Sequence, residues 1–72
     1  MKNLKQKPIL TARELEVAKL LVQGYSNPEI AQTLSVTIST AKAHVSNIME
    51  KLHAKNRAHI VFLLIKNKFI EL

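Results

Sequence analysis

The sequence predicts an all-α domain of four short helices, and three observations carry that prediction. Two capping-box signatures, Thr11-Ala-Arg-Glu14 and Ser26-Asn-Pro-Glu29, open successive segments. Apolar residues then recur at intervals of three and four, as one face of a helix requires. The continuous apolar run Ile60-Val-Phe-Leu-Leu-Ile65 has no second run to pair with, so a strand there would lack a sheet. Half of that run is β-branched, which leaves its local preference ambiguous, and helix is the better reading.

The first helix starts at the Thr11 cap, with Leu10 and Leu15 as its hydrophobic staple and Leu15, Ala18, Leu21 and Val22 as its apolar face. Gly24 ends it, because glycine enters the left-handed conformation without a Cβ penalty. The second helix repeats this grammar from Ser26, with Tyr25 and Ile30 as staple and Pro28 in the first turn, where a missing N–H costs nothing. Its apolar face is Ile30, Ala31 and Leu34. Ser35-Val-Thr37 then leads to a longer helix from Ile38 to about Leu52 or His53, capped by Thr37. Ala41, Val45, Ile48 and Leu52 give it one buried stripe. A break at Lys55-Asn56 precedes the fourth helix, capped by Asn56 and running from Arg57 to about Asn67.

Composition excludes several classes of function. The 72 residues allow one domain with a thin core. With no Cys there is no disulfide framework, thiolate metal site or cysteine nucleophile. Without Asp there is no Ser-His-Asp triad, and a single Gly cannot supply a dinucleotide fingerprint or a P-loop. His44, His53 and His59 lack the spacing of a helical metal site, and Glu14 and Glu16 face different directions, so neither metal nor acid–base catalysis is expected. No cofactor is expected, and no run is long enough to span a membrane. The net charge of +6 points to an anionic partner, most often nucleic acid, for a cytoplasmic protein, and the partner expected from the helix pattern is double-stranded DNA. Residues 1–9 read as a flexible basic arm that either follows a phosphate backbone or only aids solubility, and residues 10–72 as the domain. The initiating Met and lysine-rich start favour a complete small protein over an excised C-terminal domain.

A short helix, a tight turn and a longer helix over residues 26–53 is the helix-turn-helix plan, whose second helix enters the DNA major groove. Opposite the buried stripe of that helix lie Ser39, Ala43, Ser46, Asn47 and Glu50, with Lys42 and His44 on the flanks. A merely solvated face would carry the better helix formers Glu, Lys and Gln. Small polar side chains instead let the backbone approach base edges, where Asn bonds adenine, Ser bonds several bases and an Ala methyl packs on thymine. Glu50 repels phosphate, which confines reading to the N-terminal half of the helix. Thr37, Ser39 and Thr40 at that N-terminus, and Ser26 and Asn27 at the preceding one, suit phosphate contacts as well as capping.

At these residues the chain resembles the LuxR-type, or GerE-type, helix-turn-helix domain of bacterial transcription regulators. The resemblance rests on Leu10-Thr-Ala-Arg-Glu-Leu-Glu-Val17, Gly24-Tyr-Ser-Asn-Pro-Glu-Ile-Ala31, Thr40-Ala-Lys-Ala-His-Val45, Ile48, Lys51-Leu52 and Asn56-Arg57, and extends from Leu10 to Ile70. The arrangement is also similar to the family's stand-alone members, a sporulation regulator among them. The resemblance implies a four-helix LuxR-type helix-turn-helix domain that binds a two-fold-symmetric promoter site as a dimer, often through its last helix, at the bacterial nucleoid. It places Lys42, Ala43 and Ser46 in the groove and Thr40, His44 and residues near Ser26 on phosphates, and it pairs Glu14 with Arg57. Lys51 is expected to cover part of the core with its stem. Three positions depart from the pattern. Ala41 replaces the usual Val, which implies looser packing, and Ser46 replaces a longer, often basic residue. Lys68 stands in place of Gly, with Asn67 as the expected left-handed residue instead.

The fourth helix cannot bury six consecutive apolar residues on one face. With Ile60, Val61 and Leu64 inward, Phe62 and Leu63 point partly outward, beside His59 and Lys66. A homodimer interface would cover them and pair two reading helices about one DNA turn apart, or a multiple of it. The N-terminal arm or Phe69 would also cover them. The alternative function is a protein-interaction module, or a polymerase-associated one, that uses this apolar helix to bind RNA polymerase.

Overall fold

The computed structural model describes residues 8–71. Those residues form four helices: α1 (Ala12–Val22), α2 (Asn27–Leu34), α3 (Ile38–Leu52) and α4 (Arg57–Lys66). The apolar run 60–65 is helical, and no strand is present among the described residues. Of the basic arm expected over 1–9, only Pro8 and Ile9 lie within the described residues.

Every helix begins on a side chain that accepts the backbone N–H three residues ahead. Thr11 accepts from Glu14 at 3.0 Å, Ser26 from Glu29 at 3.3 Å, Thr37 from Thr40 at 3.0 Å and Asn56 from His59 at 2.8 Å. At α1 and α2 the glutamate returns the favour, accepting the Thr11 N–H at 2.9 Å and the Ser26 N–H at 2.8 Å. These reciprocal bonds satisfy N–H groups that the helix itself leaves unpaired. At α4 His59 stands in the glutamate's place, but its Nδ1 accepts the N–H of Lys55, one residue before the Asn56 cap, at 2.9 Å.

The helix ends are equally uniform. The residue closing each helix is left-handed: Gly24 (φ 90°), Ser35 (58°), His53 (56°) and Lys68 (61°). The next N–H in each case turns back to a carbonyl five residues earlier: Tyr25 to Leu20 at 3.0 Å, Val36 to Ala31 at 2.9 Å, Ala54 to Met49 at 3.0 Å and Phe69 to Leu64 at 2.9 Å. This is the Schellman closure, and both residues of every such pair are apolar and belong to the core or pack against it. At α4 the left-handed residue is Lys68, whereas Asn67 keeps a φ of −90°. That overturns the expectation for Asn67. The closure needs an apolar residue directly after the left-handed one, and Phe69 rather than Lys68 supplies it.

The core is drawn from all four helices. Val17, Ala18, Ile30, Ala41, Ile48, Ile60 and Leu64 are fully enclosed, with Leu10, Leu21, Ala31, Val45 and Leu52 nearly so. The stripe 41, 45, 48 and 52 is therefore buried as its spacing predicts, and α3 packs against α1, α2 and α4. Phe69 and Ile70 fold back from the end of α4 onto this core.

Three of the four left-handed positions carry a Cβ, which costs roughly 1–2 kcal/mol each relative to the right-handed region. His53 is exposed. His53→Gly should therefore raise the stability of the domain by about 0.5–1 kcal/mol, after allowing for the extra freedom glycine gives the unfolded chain. Urea unfolding followed by circular dichroism measures this; a lower midpoint would show that the His53 side chain contributes more than its backbone costs.

Candidate nucleic-acid interface

With its stripe buried, α3 offers the opposite surface to solvent. Ser39, Thr40, Lys42, Ala43, Ser46, Asn47 and Glu50 are all exposed, and His44 is half-buried on the flank. The residues expected to face bases thus share one accessible face, and the lysine stands at its edge. From Ile38 to Leu52 the charges are Lys42 and Lys51 against Glu50. The face is therefore nearly neutral and rich in short hydrogen-bonding groups.

Its N-terminus differs from those of α1 and α2. The third position holds Thr40 in place of glutamate, and no acid lies in the first turn of α3. The Thr37 hydroxyl donates to the Thr40 hydroxyl at 3.0 Å, and both side chains are exposed. The positive end of the helix dipole is thus left without a carboxylate. At α2, by contrast, Glu29 is tied to the Ser26 backbone N–H and hydroxyl, bonds that hold its carboxyl below the ordinary value.

Two polar clusters hold α3 and its neighbours in place. Burial alone would raise the Glu14 carboxyl, but the Lys51 hydrogen bond and charge, with the Thr11 bonds, outweigh it and hold the carboxyl below 4.5. Lys51 Nζ lies 2.7 Å from Glu14 Oε1 and also donates to the Ile9 carbonyl at 3.1 Å. The first turn of α1 is thereby fastened to the last turn of α3. The expected pair of Glu14 with Arg57 is not formed. Arg57 instead donates to Asn27 Oδ1 at 2.9 Å and to the Tyr25 carbonyl, bracing the start of α4 against the start of α2. The reason is geometric: Lys51 approaches Glu14 from the end of α3, while Arg57 opens α4 beside the 25–27 segment. Arg57 remains structural, with different partners.

This brace affects two further candidates. Asn27 is half-buried and its side-chain oxygen is engaged by Arg57, so it is a strut between helices. Ser26 is exposed and its hydroxyl oxygen caps α2. On α4, Phe62 is 57% exposed, whereas Leu63 is half-buried against the core. His59 stacks on Phe62 with ring centroids 6.3 Å apart, and Lys66 Nζ stands 5.8 Å from the same ring. Sequence reasoning missed Ile38, a 50% exposed side chain at the mouth of α3, because it treated the position only as the helix start. Among the described residues no cluster of His, Cys, Asp or Glu is arranged to hold a metal ion, and no helix is long and apolar enough to cross a membrane.

Comparison with known proteins bears on this geometry. The family model of bacterial regulatory proteins of the luxR family, GerE, matches residues 8–64. The response regulator protein VraR of Staphylococcus aureus is 43% identical over 63 residues, which are 88% of this chain and 30% of VraR. The chain thus spans about 30% of the length of the curated relatives it matches. Among solved structures, the response regulator ChrA of a heme-sensing two-component system superposes with a TM-score of 0.83 at 33% identity, covering 92% of this chain and 33% of that one. The transcription factor GerE superposes with a TM-score of 0.79 at 32% identity, covering 86% of this chain and 92% of that one.

The Glu14–Lys51 contact generates a pH dependence. The folded carboxyl releases its proton more readily than the unfolded one, so its stabilisation is complete above about pH 4.5 and fades as pH falls through the lower, folded value. Glu14→Gln, which leaves the half-buried Lys51 without its anion, should cost about 1–3 kcal/mol at neutral pH. The gap to the unmodified chain should then narrow in acid. Thermal unfolding of both proteins between pH 7 and pH 3 checks this; a gap independent of pH would mean the carboxylate charge is not what holds α1 to α3.

Proposed function

The chain belongs to the luxR family of bacterial regulatory proteins, a DNA-binding transcription regulator domain and not an enzyme, and we propose that it reads a pseudo-palindromic promoter site as a dimer, with α3 in the major groove. The observation that carries this reading is the exposed face of α3, where Ser39, Ala43, Ser46 and Asn47 leave room for close approach beside Lys42. Asn47 and Ser46 supply hydrogen-bonding groups for base edges, and the Ala43 methyl suits a thymine methyl. Lys42 reaches a guanine edge from the rim of the face. Thr37, Thr40 and the acid-free first turn of α3 favour a phosphate, with His44 and Ser26 as further backbone contacts. Asn27 acts through Arg57 as a strut. Lys2, Lys5 and Lys7, in the basic segment 1–9, add attraction that does not depend on sequence. The domain then comprises 10–72 and works at the chromosome in the bacterial cytoplasm.

The dimer contact we assign to α4. Phe62 is the large exposed apolar residue of that helix, flanked by His59 and Lys66, and Leu63 contributes at its edge. A two-fold axis through this face presents two copies of α3, which matches the symmetry of a palindrome. The same exposed ring would serve a contact with RNA polymerase, and the experiment separates the two.

Selection from a random duplex library, repeated at several salt concentrations, should enrich an inverted repeat. Flat selection would overturn the reading. Lys42→Ala should weaken binding to the enriched site by about 1–3 kcal/mol with unchanged unfolding. Phe62→Glu should give a folded chain that binds the two half-sites independently. Cooperative binding that survives Phe62→Glu would move the dimer contact elsewhere and leave Phe62 to another partner.

A further inference from the structure

Ile38 is the first residue of α3 and is 50% exposed. It extends the apolar spacing of the buried stripe, three residues before Ala41 and seven before Val45, yet half of its surface stays uncovered. The cap is made by the Thr37 hydroxyl oxygen, and Val36, not Ile38, is the residue of this turn that packs against the core. The first helical position favours Pro, and the first turn favours acids; a β-branched apolar residue has neither advantage and leaves its surface in water. Its placement is more telling. Four residues advance a helix by one turn plus about 40°, so Ile38 stands one turn before Lys42, on the edge of the buried stripe that borders the Lys42 flank. Ser39, next to it, is short and exposed. At the open end of α3 the uncovered half of Ile38 borders Ser39 and the Lys42 flank, and it is the large apolar side chain of that end, where the reading face itself offers only the Ala43 methyl.

We propose that Ile38 is a specificity-determining residue that packs against the 5-methyl group of a thymine in the major groove, next to the base pair that Lys42 reaches. The inference rests on the reading of α3 as the groove helix and goes beyond it by assigning one base and one contact. The thymine methyl is the apolar feature of the major-groove edge, and it matches an apolar side chain just as guanine acceptors match a lysine. The contact gives discrimination that Ser39 and Ser46 do not, because a hydroxyl bonds several bases. Met49 lies on the same flank but next to Glu50, in the half of the helix that phosphates repel.

The test uses the duplex enriched by selection, with each thymidine replaced singly by deoxyuridine so that only the methyl group is removed. Binding of the unmodified chain and of Ile38→Ala is measured on every duplex. At one thymine per half-site, distinct from any thymine under Ala43, loss of the methyl should weaken the unmodified chain about fourfold, the worth of one buried methyl. Ile38→Ala should show the same loss on the thymidine duplex and no further loss on the deoxyuridine one. Equal penalties for both proteins at every position would overturn the assignment of Ile38 while leaving the groove reading intact. Absence of any enriched site overturns both. Alanine is the better helix former, so a folding defect does not explain weaker binding by the variant.

Discussion

Ala41, Val45, Ile48 and Leu52 lie four, three and four residues apart along α3, and burying them fixes the face that α3 turns away from the core. The stripe is in contact with all three other helices, so α3 has little freedom to rotate about its axis. A rotation of one residue, about 100°, would bring polar groups into the core, at a cost no short helix recovers. The choice of which side chains the proposed reading face presents is thus made on the opposite side of the helix, by hydrophobic burial. The Lys51–Glu14 bond then sets α3 along its axis relative to α1, and Arg57 holds α4 against the start of α2. These polar ties are partly solvated and individually modest. Their value is positional: a reading helix displaced by about 1 Å loses contacts that depend on fixed geometry.

Charge has a different distribution from the proposed reading surface. The chain carries +6, but the span 38–52 contributes only Lys42 and Lys51 against Glu50, and Lys51 is engaged by Glu14. Most of the excess lies at residues 2–7 and 55–68. Electrostatic attraction to phosphate is long-ranged and indifferent to sequence, whereas base reading needs close approach and neutral hydrogen-bonding groups. Separating the two lets affinity rise without crowding the groove with long cations. It follows that salt acts mainly on arrival and holding, and less on the choice among sequences.

Helix starts and the buried stripe were legible because each is written locally. A hydroxyl or Asn followed three residues later by a partner is a short pattern, and all four starts fall where it predicts. The ends of α3 and α4 also fall close to where the apolar spacing places them, but the left-handed residues that close α2, α3 and α4 were not legible, because only glycine and Asn67 stood out for that conformation and Ser35, His53 and Lys68 adopt it. The pattern that does mark them is an apolar pair five residues apart: Leu20 and Tyr25, Ala31 and Val36, Met49 and Ala54, Leu64 and Phe69. The residue in the left-handed conformation is dictated by where that pair must close, which is why Lys68 takes it and Asn67 does not. Pairing across the fold was legible only in kind. Glu14 and Arg57 both make structural bonds, yet their partners depend on how α3 and α4 cross α1 and α2, which no local pattern encodes. Ile38 escaped notice for a related reason, since an apolar residue at a helix start reads as core until its exposure is known.

The caps connect stability with recognition. At α1 and α2 a glutamate completes the cap and places a negative charge on the positive end of the helix, and Glu29 is held ionised by the very bonds it makes. At α4 the corresponding place is filled by His59, beside Arg57, whose guanidinium is taken up by Asn27 and Tyr25. At α3 it is filled by Thr40, so the cap keeps its backbone bond and gives up the carboxylate. A glutamate at position 40 would add a reciprocal bond and a favourable charge–dipole contact to the fold, about 0.3–1 kcal/mol at an exposed site. It would also place a fixed negative charge at the point where α3 meets the phosphate backbone in a groove-bound domain. Thr40 thus forgoes a stabilisation that α1 and α2 both take. α4 also starts without an acid, with His59 in that place, so only α1 and α2 carry the carboxylate; at α3 its absence suits the phosphate contact proposed for that helix.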